Sequence, residues 1–278
     1  MSGRDCWYGK CTFCSWTTLY PRFRVRSHTR VLDEISRLAC RYGVREVFDD
    51  TGTFPAGTWL ERFCSGMIDR NLSERVRVSC NARVGALSAE QLAMMRRAGF
   101  RLLKFGLESA NQETLDRLCK GTTVEQIVES CRLAKKAGLT VHLTTMVGYP
   151  WESLSDAERT VNLAGRLLSE GAADMLQATI VIPYPGTPLF REARENGWLR
   201  TEDWDCYDMR GPVVRSPIPD EELSRLTQGL YRAFLSTKFI GRTMLSIRSV
   251  DDLRFVGRAG KAVLGHLKDF AAQRRIRA

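Results

Sequence analysis

Three cysteines lie close together near the start of the chain, in the stretch GRDCWYGKCTFCSW. Cys6, Cys11 and Cys14 are separated by four residues and then by two. A disulfide would leave one thiol over, and a nucleophilic cysteine needs no such neighbours. A structural zinc site needs four ligands, usually as two pairs, and no histidine precedes His28. Closely spaced thiolates are typical ligands of iron–sulfur clusters, so the spacing predicts a cubane cluster with one iron left open.

The elements that would position these thiols alternate between strand and helix. We expect strands at 44–50, 75–82, 101–108, 140–148 and 175–183. We expect helices at 29–42, 57–70, 87–98, 123–137, 153–169 and 187–196. Alternation at this spacing predicts βα units on a parallel sheet or barrel, hence an α/β fold.

The alternating pattern stops after residue 186. Residues 198–219 are rich in Trp, Asp and Pro and are expected to be irregular. Residues 219–238 and 250–274 have amphipathic helical patterns, the first entered by a proline and an acidic turn. The sequence therefore predicts a core barrel over 1–197, followed by an irregular segment and C-terminal helices over 198–278.

The composition excludes a membrane span and a disulfide framework. Of the 278 residues 44% are apolar, but no apolar run approaches the ~20 residues of a membrane span. Nine cysteines without a secretory signal indicate a reduced compartment, so we expect a soluble, cytoplasmic protein. The net charge of +10 is mostly scattered arginine, without interleaved aromatics. This pattern favours solvated surface or anion contact over nucleic-acid binding.

Polar, Gly or Pro residues follow all five expected strands. In parallel α/β folds, ligands bind at the carboxyl ends of the strands. The candidate stretches are Asp49-Asp50-Thr51, Ser79 to Asn81 with Arg83, Gly106 to Ser109, Val147 to Pro150, and Ile182 to Gly186.

These residues carry a resemblance to a known family. The chain resembles the radical SAM enzymes, whose usual signature has three cysteines spaced three and then two residues apart, with an aromatic before the last. Cys11-Thr12-Phe13-Cys14 matches the second half, whereas the first gap has one residue more, which Gly9 can absorb in a flexible loop. Five further stretches match in order: FDDTGTF, FGLESANQETLDRLCKGTT, MVGYPWES, IPYPGTPLFREARENGW and DWDCYD.

The resemblance covers roughly residues 3–240 and is strongest to the subgroup that carries a cobalamin-binding domain. Members of that subgroup include anaerobic magnesium-protoporphyrin ester cyclase and many methyltransferases. It implies a partial (β/α)6 TIM-type barrel with a truncated first strand and a C-terminal helical appendage. It also implies a [4Fe–4S] cluster that reductively cleaves S-adenosylmethionine (SAM) to a 5′-deoxyadenosyl radical. The substrate would be a small molecule, methylated or oxidatively cyclised, with a reductant such as flavodoxin or ferredoxin. The alternatives are an RNA-modifying member and a truncated member that binds a cluster without turnover.

By resemblance, Cys6, Cys11 and Cys14 would each bind one iron. Phe13 would lie by the adenine or pack within the loop. No residue is assigned to catalysis. Asp49 or Asp50 would bind the amino group of SAM, unless one of them caps the turn through Thr51 or Thr53. Arg83 would bind the carboxylate or form a surface salt bridge, and Glu108 would bind the ribose or act as an N-cap. At Gly148 and Pro150 the backbone would approach the adenine.

In the family a first strand precedes the cysteine loop, and in the subgroup a cobalamin-binding domain precedes that strand. Neither fits into the residues MSGRD before the first cysteine. Cobalamin is therefore implied only through a missing N-terminal domain. Without its first strand the sheet would also have an open edge, which would need a partner. We expect a separate cobalamin-binding chain or a homo-oligomer, and a chain that is poorly soluble or dimeric alone.

Overall fold

The computed structural model describes residues 1–209, 211–232 and 237–247, with scattered positions between 253 and 265. The strands β1 to β7 are Gly3–Arg4, Arg24–Val25, Glu46–Asp49, Arg77–Asn81, Phe100–Glu108, Thr140–Val147 and Met175–Ile180. The α-helices α1 to α10 are Trp16–Leu19, His28–Tyr42, Thr58–Asp69, Ala89–Arg97, Gln112–Arg117, Val124–Lys136, Leu154–Glu170, Pro188–Glu195, Asp220–Arg232 and Thr237–Ser246.

Five strands form one parallel sheet in the order β3-β4-β5-β6-β7, curled into a half-barrel. Neighbouring strands are joined by helices, so the predicted βα alternation and the partial-barrel fold are confirmed. All five expected strands are present within a few residues of their predicted bounds. Their carboxyl ends meet along one edge of the half-barrel, where the candidate site residues were expected.

The two faces of the sheet have different environments. Leu103 and Phe105 of β5 are buried in the main core with residues of the surrounding helices, among them Leu32 and Phe63. Successive strand residues point to opposite faces, so Lys104 lies on the concave face, where it is half-buried. Several helices begin at capped positions, such as Ser153, whose hydroxyl accepts from the amide of Asp156.

Several short elements were not predicted. β1 pairs antiparallel with β2, and the helices α1 and α5 are too short to show helical periodicity in the sequence. The helix expected at 219–238 is present as α9, which packs against α7 and β7; α10 was not predicted. The helix expected at 250–274 lies largely outside the described residues.

Residues 198–219 are irregular as expected, with a 3₁₀ turn at Trp204–Cys206 and a bridge between Leu199 and Val214. None of the helices in the described part of the chain is long and apolar enough to cross a membrane.

Candidate functional site

The loop that carries the three cysteines is fastened over the carboxyl edge of the half-barrel. The amide of Thr12 donates to the carbonyl of Leu118, beyond β5, at 3.0 Å. The carbonyl of Thr12 accepts from the amide of Leu189, beyond β7, at 2.9 Å. Near the other end, Sγ of Cys6 lies 2.9 Å from Oγ1 of Thr53, beyond β3. The loop is thus held by segments that follow three different strands.

The three thiols in this loop are free and half-buried. Burial raises the pKa of Cys11 to about 11, and burial also raises the pKa of Cys14. The positive charge of Lys120 opposes both shifts. In the described residues no three His, Cys, Asp or Glu side chains converge on one point, as a single metal ion would require. A cubane cluster needs no such convergence, since each thiolate binds a different iron.

The two aspartates at the end of β3 have different surroundings. Asp49 is buried, and its Oδ2 accepts from the amide and hydroxyl of Ser2, both at 2.6 Å. Its Oδ1 accepts from the amide of Thr51 at 3.0 Å and from the hydroxyl at 2.5 Å. Asp49 therefore holds the turn through Thr51, the second of the two roles expected here. Asp50 is exposed and accepts one hydrogen bond, from Nδ2 of Asn81 at 3.1 Å.

Arg83 joins the cysteine loop to the segment after α5. Its guanidinium lies over the ring of Tyr8, 3.5 Å from the centroid. It also donates to the carbonyls of Lys120 at 2.6 Å and of Gly121 at 3.0 Å. No described carboxylate forms a salt bridge with Arg83, so the surface ion pair considered from the sequence does not form there. The group lies next to the thiol loop and contributes positive charge to it.

A buried ion pair lies beside the thiols. Nζ of Lys120 is 2.8 Å from Oε1 of Glu108, and their side chains are only 12% and 8% exposed. Burial lowers the pKa of Lys120, but Glu108 and Cys11 raise it further, so the net shift is upward. Lys120 was not singled out in the sequence, although it lies within the matching stretch FGLESANQETLDRLCKGTT.

The backbone is shaped to hold this pair. Glu108 has a φ of +58°, in the left-handed region that non-glycine residues rarely adopt. A Cβ at Gly106 would lie 2.0 Å from Oε1 of Glu108 and 2.5 Å from Nζ of Lys120. Glu108 does not cap α5: the N-cap residue is Asn111, whose amide donates to Oγ of Ser109 at 3.1 Å. The N-cap alternative for Glu108 is therefore not observed.

The remaining expected contacts are Phe13, Gly148 and Pro150. Phe13 packs beside a buried cluster that includes Tyr149, and Nζ of Lys120 is 5.7 Å from its ring centre. Gly148 has a φ of +90°, and a Cβ there would lie 3.1 Å from Leu223 of α9. Its lack of a side chain thus makes room for α9. Pro150 follows in a half-buried turn.

The concave face holds a second polar group, which was not predicted. Lys104, His142 and Gln177 lie on β5, β6 and β7 and are half-buried. Lys104 is the register partner of His142, and its Nζ donates to Oε1 of Gln177 at 3.3 Å. Burial, together with the charge of Lys104, lowers the pKa of His142 to about 4. The imidazole is therefore neutral at neutral pH.

This shift predicts a loss of stability in mild acid. The unfolded chain protonates His142 near the ordinary pKa of 6.5, whereas the folded protein does so only near 4. Between these values the unfolded state binds more protons, so the free energy of unfolding falls as pH falls. From about pH 7 to about pH 5 we expect His142 to contribute a loss of about 1 to 2 kcal/mol. Urea unfolding of wild type and His142→Gln at both pH values tests this, since the variant should lack the loss of unfolding free energy that comes from His142. An equal loss of unfolding free energy in both proteins would contradict the prediction.

Known proteins resemble the chain in sequence. The sequence profile described as "Radical SAM superfamily" matches residues 2–164. An uncharacterized methyltransferase of Pyrococcus horikoshii is 31% identical over 240 residues, which cover 84% of this chain and 50% of that protein. Anaerobic magnesium-protoporphyrin IX monomethyl ester cyclase of Cereibacter sphaeroides is 30% identical over 233 residues, covering 82% of this chain and 37% of that protein. The chain thus spans half or less of the length of these relatives.

Solved structures resemble the chain in fold. The radical S-adenosylmethionine methyltransferase TsrM from Kitasatospora setae, with cobalamin and a [4Fe-4S] cluster bound, matches with a TM-score of 0.61 at 18% identity. The match covers 84% of this chain and 46% of TsrM. The cobalamin-dependent S-adenosylmethionine radical enzyme OxsB matches with a TM-score of 0.60 at 15% identity, over 94% of this chain and 44% of OxsB. At these identities the likeness concerns the half-barrel itself.

Proposed function

Because the chain belongs to the radical SAM superfamily, we propose that Cys6, Cys11 and Cys14 bind a [4Fe–4S] cluster used for reductive cleavage of SAM. The observation that carries this proposal is the placement of three half-buried thiols on one loop, fastened over the carboxyl edge of the half-barrel. That edge is where α/β barrels bind their ligands. We expect the fastened loop to accommodate the longer first cysteine gap.

The donor set fits such a cluster. Three thiols match three irons, and the fourth iron is left for the amino and carboxylate groups of SAM. Thiol protons must be lost when the metal binds, and the charge of Lys120 favours the thiolates of Cys11 and Cys14. If held by Cys6, Cys11 and Cys14, such a cluster would supply the single electron needed to cleave SAM to methionine and a 5′-deoxyadenosyl radical. The protein's own groups bind SAM, orient it and exclude water.

The surroundings of the other residues favour particular SAM contacts. Asp50 is the better acceptor for the cationic amino group, because both oxygens of Asp49 are already used. Oε2 of Glu108 has no hydrogen-bond partner in the described structure, which leaves it available to a ribose hydroxyl. Arg83 lies beside the thiol loop, where a guanidinium suits the SAM carboxylate. Phe13, Gly148 and Pro150 remain the proposed adenine contacts.

We further propose a small-molecule substrate that is methylated or oxidatively cyclised. The support is the sequence likeness to a methyltransferase and to a magnesium-protoporphyrin ester cyclase. Cobalamin is proposed as a further cofactor, held by a separate domain, since TsrM and OxsB are described with cobalamin bound. A one-electron reductant such as flavodoxin or ferredoxin is required by the proposed cleavage. We retain the division into a core barrel over 1–197 and a C-terminal part over 198–278 as a proposal.

The test is to reconstitute the protein anaerobically with iron and sulfide, then add SAM and dithionite. We expect bound iron and acid-labile sulfide, and formation of 5′-deoxyadenosine and methionine in equal amounts. Failure to bind a cluster would refute the proposal. A bound cluster without SAM cleavage would instead support the alternative of a truncated member that does not turn over.

A further inference from the structure

Inside the half-barrel lies a positive charge that has no counter-ion among the described residues. Lys104 is half-buried on the concave face of β5, and within that part of the chain its ammonium donates one hydrogen bond, to Oε1 of Gln177, a neutral acceptor. In the part of the chain that the structure describes, no carboxylate forms an ion pair with it. Lys120, the other lysine near this face, has such a partner in Glu108. Partly buried charges are usually paired, so Lys104 is the exception.

The groups around Lys104 present donors rather than negative charge. Lysine has only donors, so its contact fixes Oε1 of Gln177 as the acceptor and leaves the Nε2 amide of Gln177 as a donor. No described group accepts from Nε2. His142, the register partner of Lys104, stays neutral at neutral pH and so neither repels the ammonium nor supplies its counter-ion. Lys104 and Gln177 therefore offer two adjacent donors, one of them charged.

The position of this pair connects it with the proposed reaction site. Lys104 lies on the same strand as Glu108, four residues before it, and Asn81 at the end of β4 is its register partner on the other side. Because Asn81 is the last residue of β4 and contacts Asp50, Lys104 lies level with the carboxyl end of that neighbouring strand. A molecule inside the half-barrel next to SAM would meet the Lys104 ammonium.

We propose that Lys104 and Gln177 form a subsite that binds a carboxylate group of the substrate. This inference rests on the proposed function for its biological role and names the substrate class: a small molecule that bears a carboxylate. A carboxylate has two acceptor oxygens and one charge, matching the two donors and the single charge offered here. A phosphate has more acceptors and more charge than this pair can satisfy.

The experiment uses the full chain without iron or SAM, so that its result does not depend on SAM cleavage. The probe is sodium succinate, and the reporter is the imidazole NMR signal of His142, identified by its loss in His142→Gln. Because the charge of Lys104 lowers the pKa of His142, a carboxylate bound at Lys104 raises that pKa. We expect a saturable shift with succinate and no shift with sodium chloride at equal ionic strength.

Variants locate the effect. Lys104→Met should weaken succinate binding at least about tenfold, whereas Lys104→Arg, which keeps the charge, should retain it. Lys104→Gln serves as a second neutral variant if Lys104→Met does not fold. The matched control is Lys136→Met, since Lys136 is exposed on α6, and it should bind as wild type does. Unchanged binding in the neutral variants, or a response to inorganic phosphate alone, would overturn the inference. Formation of 5′-deoxyadenosine without succinate binding would overturn the inference while leaving the proposed function intact.

Discussion

Cys11→Ala should abolish both cluster binding and SAM cleavage in the reconstituted protein. The remaining two thiols cannot hold three irons, and the described structure provides no nearby fourth thiol in the loop to replace the lost one. Bound iron and sulfide should fall to the level of a control without protein, and 5′-deoxyadenosine should be undetectable. The measurement is iron, sulfide and product analysis after anaerobic reconstitution, with Cys6→Ala and Cys14→Ala expected to behave alike.

A matched control separates this effect from loss of any thiol. Cys40 is exposed on α2, away from the cysteine loop, and its replacement by alanine should leave cluster content and cleavage unchanged. If Cys11→Ala kept a full cluster, the assignment of this cysteine as a ligand would be wrong. If Cys40→Ala lost the cluster as well, the effect would come from general destabilisation.

The second large effect is expected from Lys120→Met. This change leaves Glu108 buried beside the thiols without its counter-ion, and an unpaired buried charge is strongly destabilising. We expect the free energy of unfolding to fall by about 3 kcal/mol, measured by urea denaturation of the cluster-free protein at neutral pH. The double variant Lys120→Met with Glu108→Gln should recover part of this loss, because no charge then remains uncompensated.

An exposed ion pair between α8 and the segment that follows it provides the comparison. Arg194 and Glu202 are 57% and 52% exposed, so Arg194→Met should cost only about 0.5 kcal/mol. If Lys120→Met lowered the free energy of unfolding by no more than that, the buried Glu108–Lys120 pair would not stabilise the fold as expected. Failure of the double variant to recover any stability would mean that packing, rather than charge, explains the loss.

The sequence predicted the βα units because their signals are local, whereas the partial barrel was implied by the family resemblance. Alternating apolar residues define β5, β6 and β7, and caps such as Ser153 start the helices between them. The sequence also placed the candidate site at the strand ends, because the polar, Gly and Pro residues that follow each strand are a local signal. It could not divide the roles of Asp49 and Asp50, since Asp49 is occupied by Ser2, which is 47 residues away in sequence.

The lysines were missed for other physical reasons. Lys120 follows the six-residue helix α5, which is too short to show a periodicity, so no sequence pattern indicated that its side chain contacts Glu108. Lys104 is the single lysine in the strand RLLKFGLE, and one charged residue among apolar neighbours does not show that the face it lies on is polar. The curl of the sheet into a half-barrel exposes that face, and only the structure shows it.

The attachment of the cysteine loop has a consequence for how the protein is made. Thr12 is bonded to Leu118 and Leu189, which follow it by 106 (118 − 12) and 177 (189 − 12) residues. The thiols are translated before Leu118 and Leu189, so their loop gains these contacts only after α8 has been translated and has folded against the sheet. Closing such distant contacts is entropically costly and slow. The loop that carries the thiols is therefore ordered only after the chain through α8 has been made and folded, and we expect the proposed iron–sulfur cluster to bind after that step.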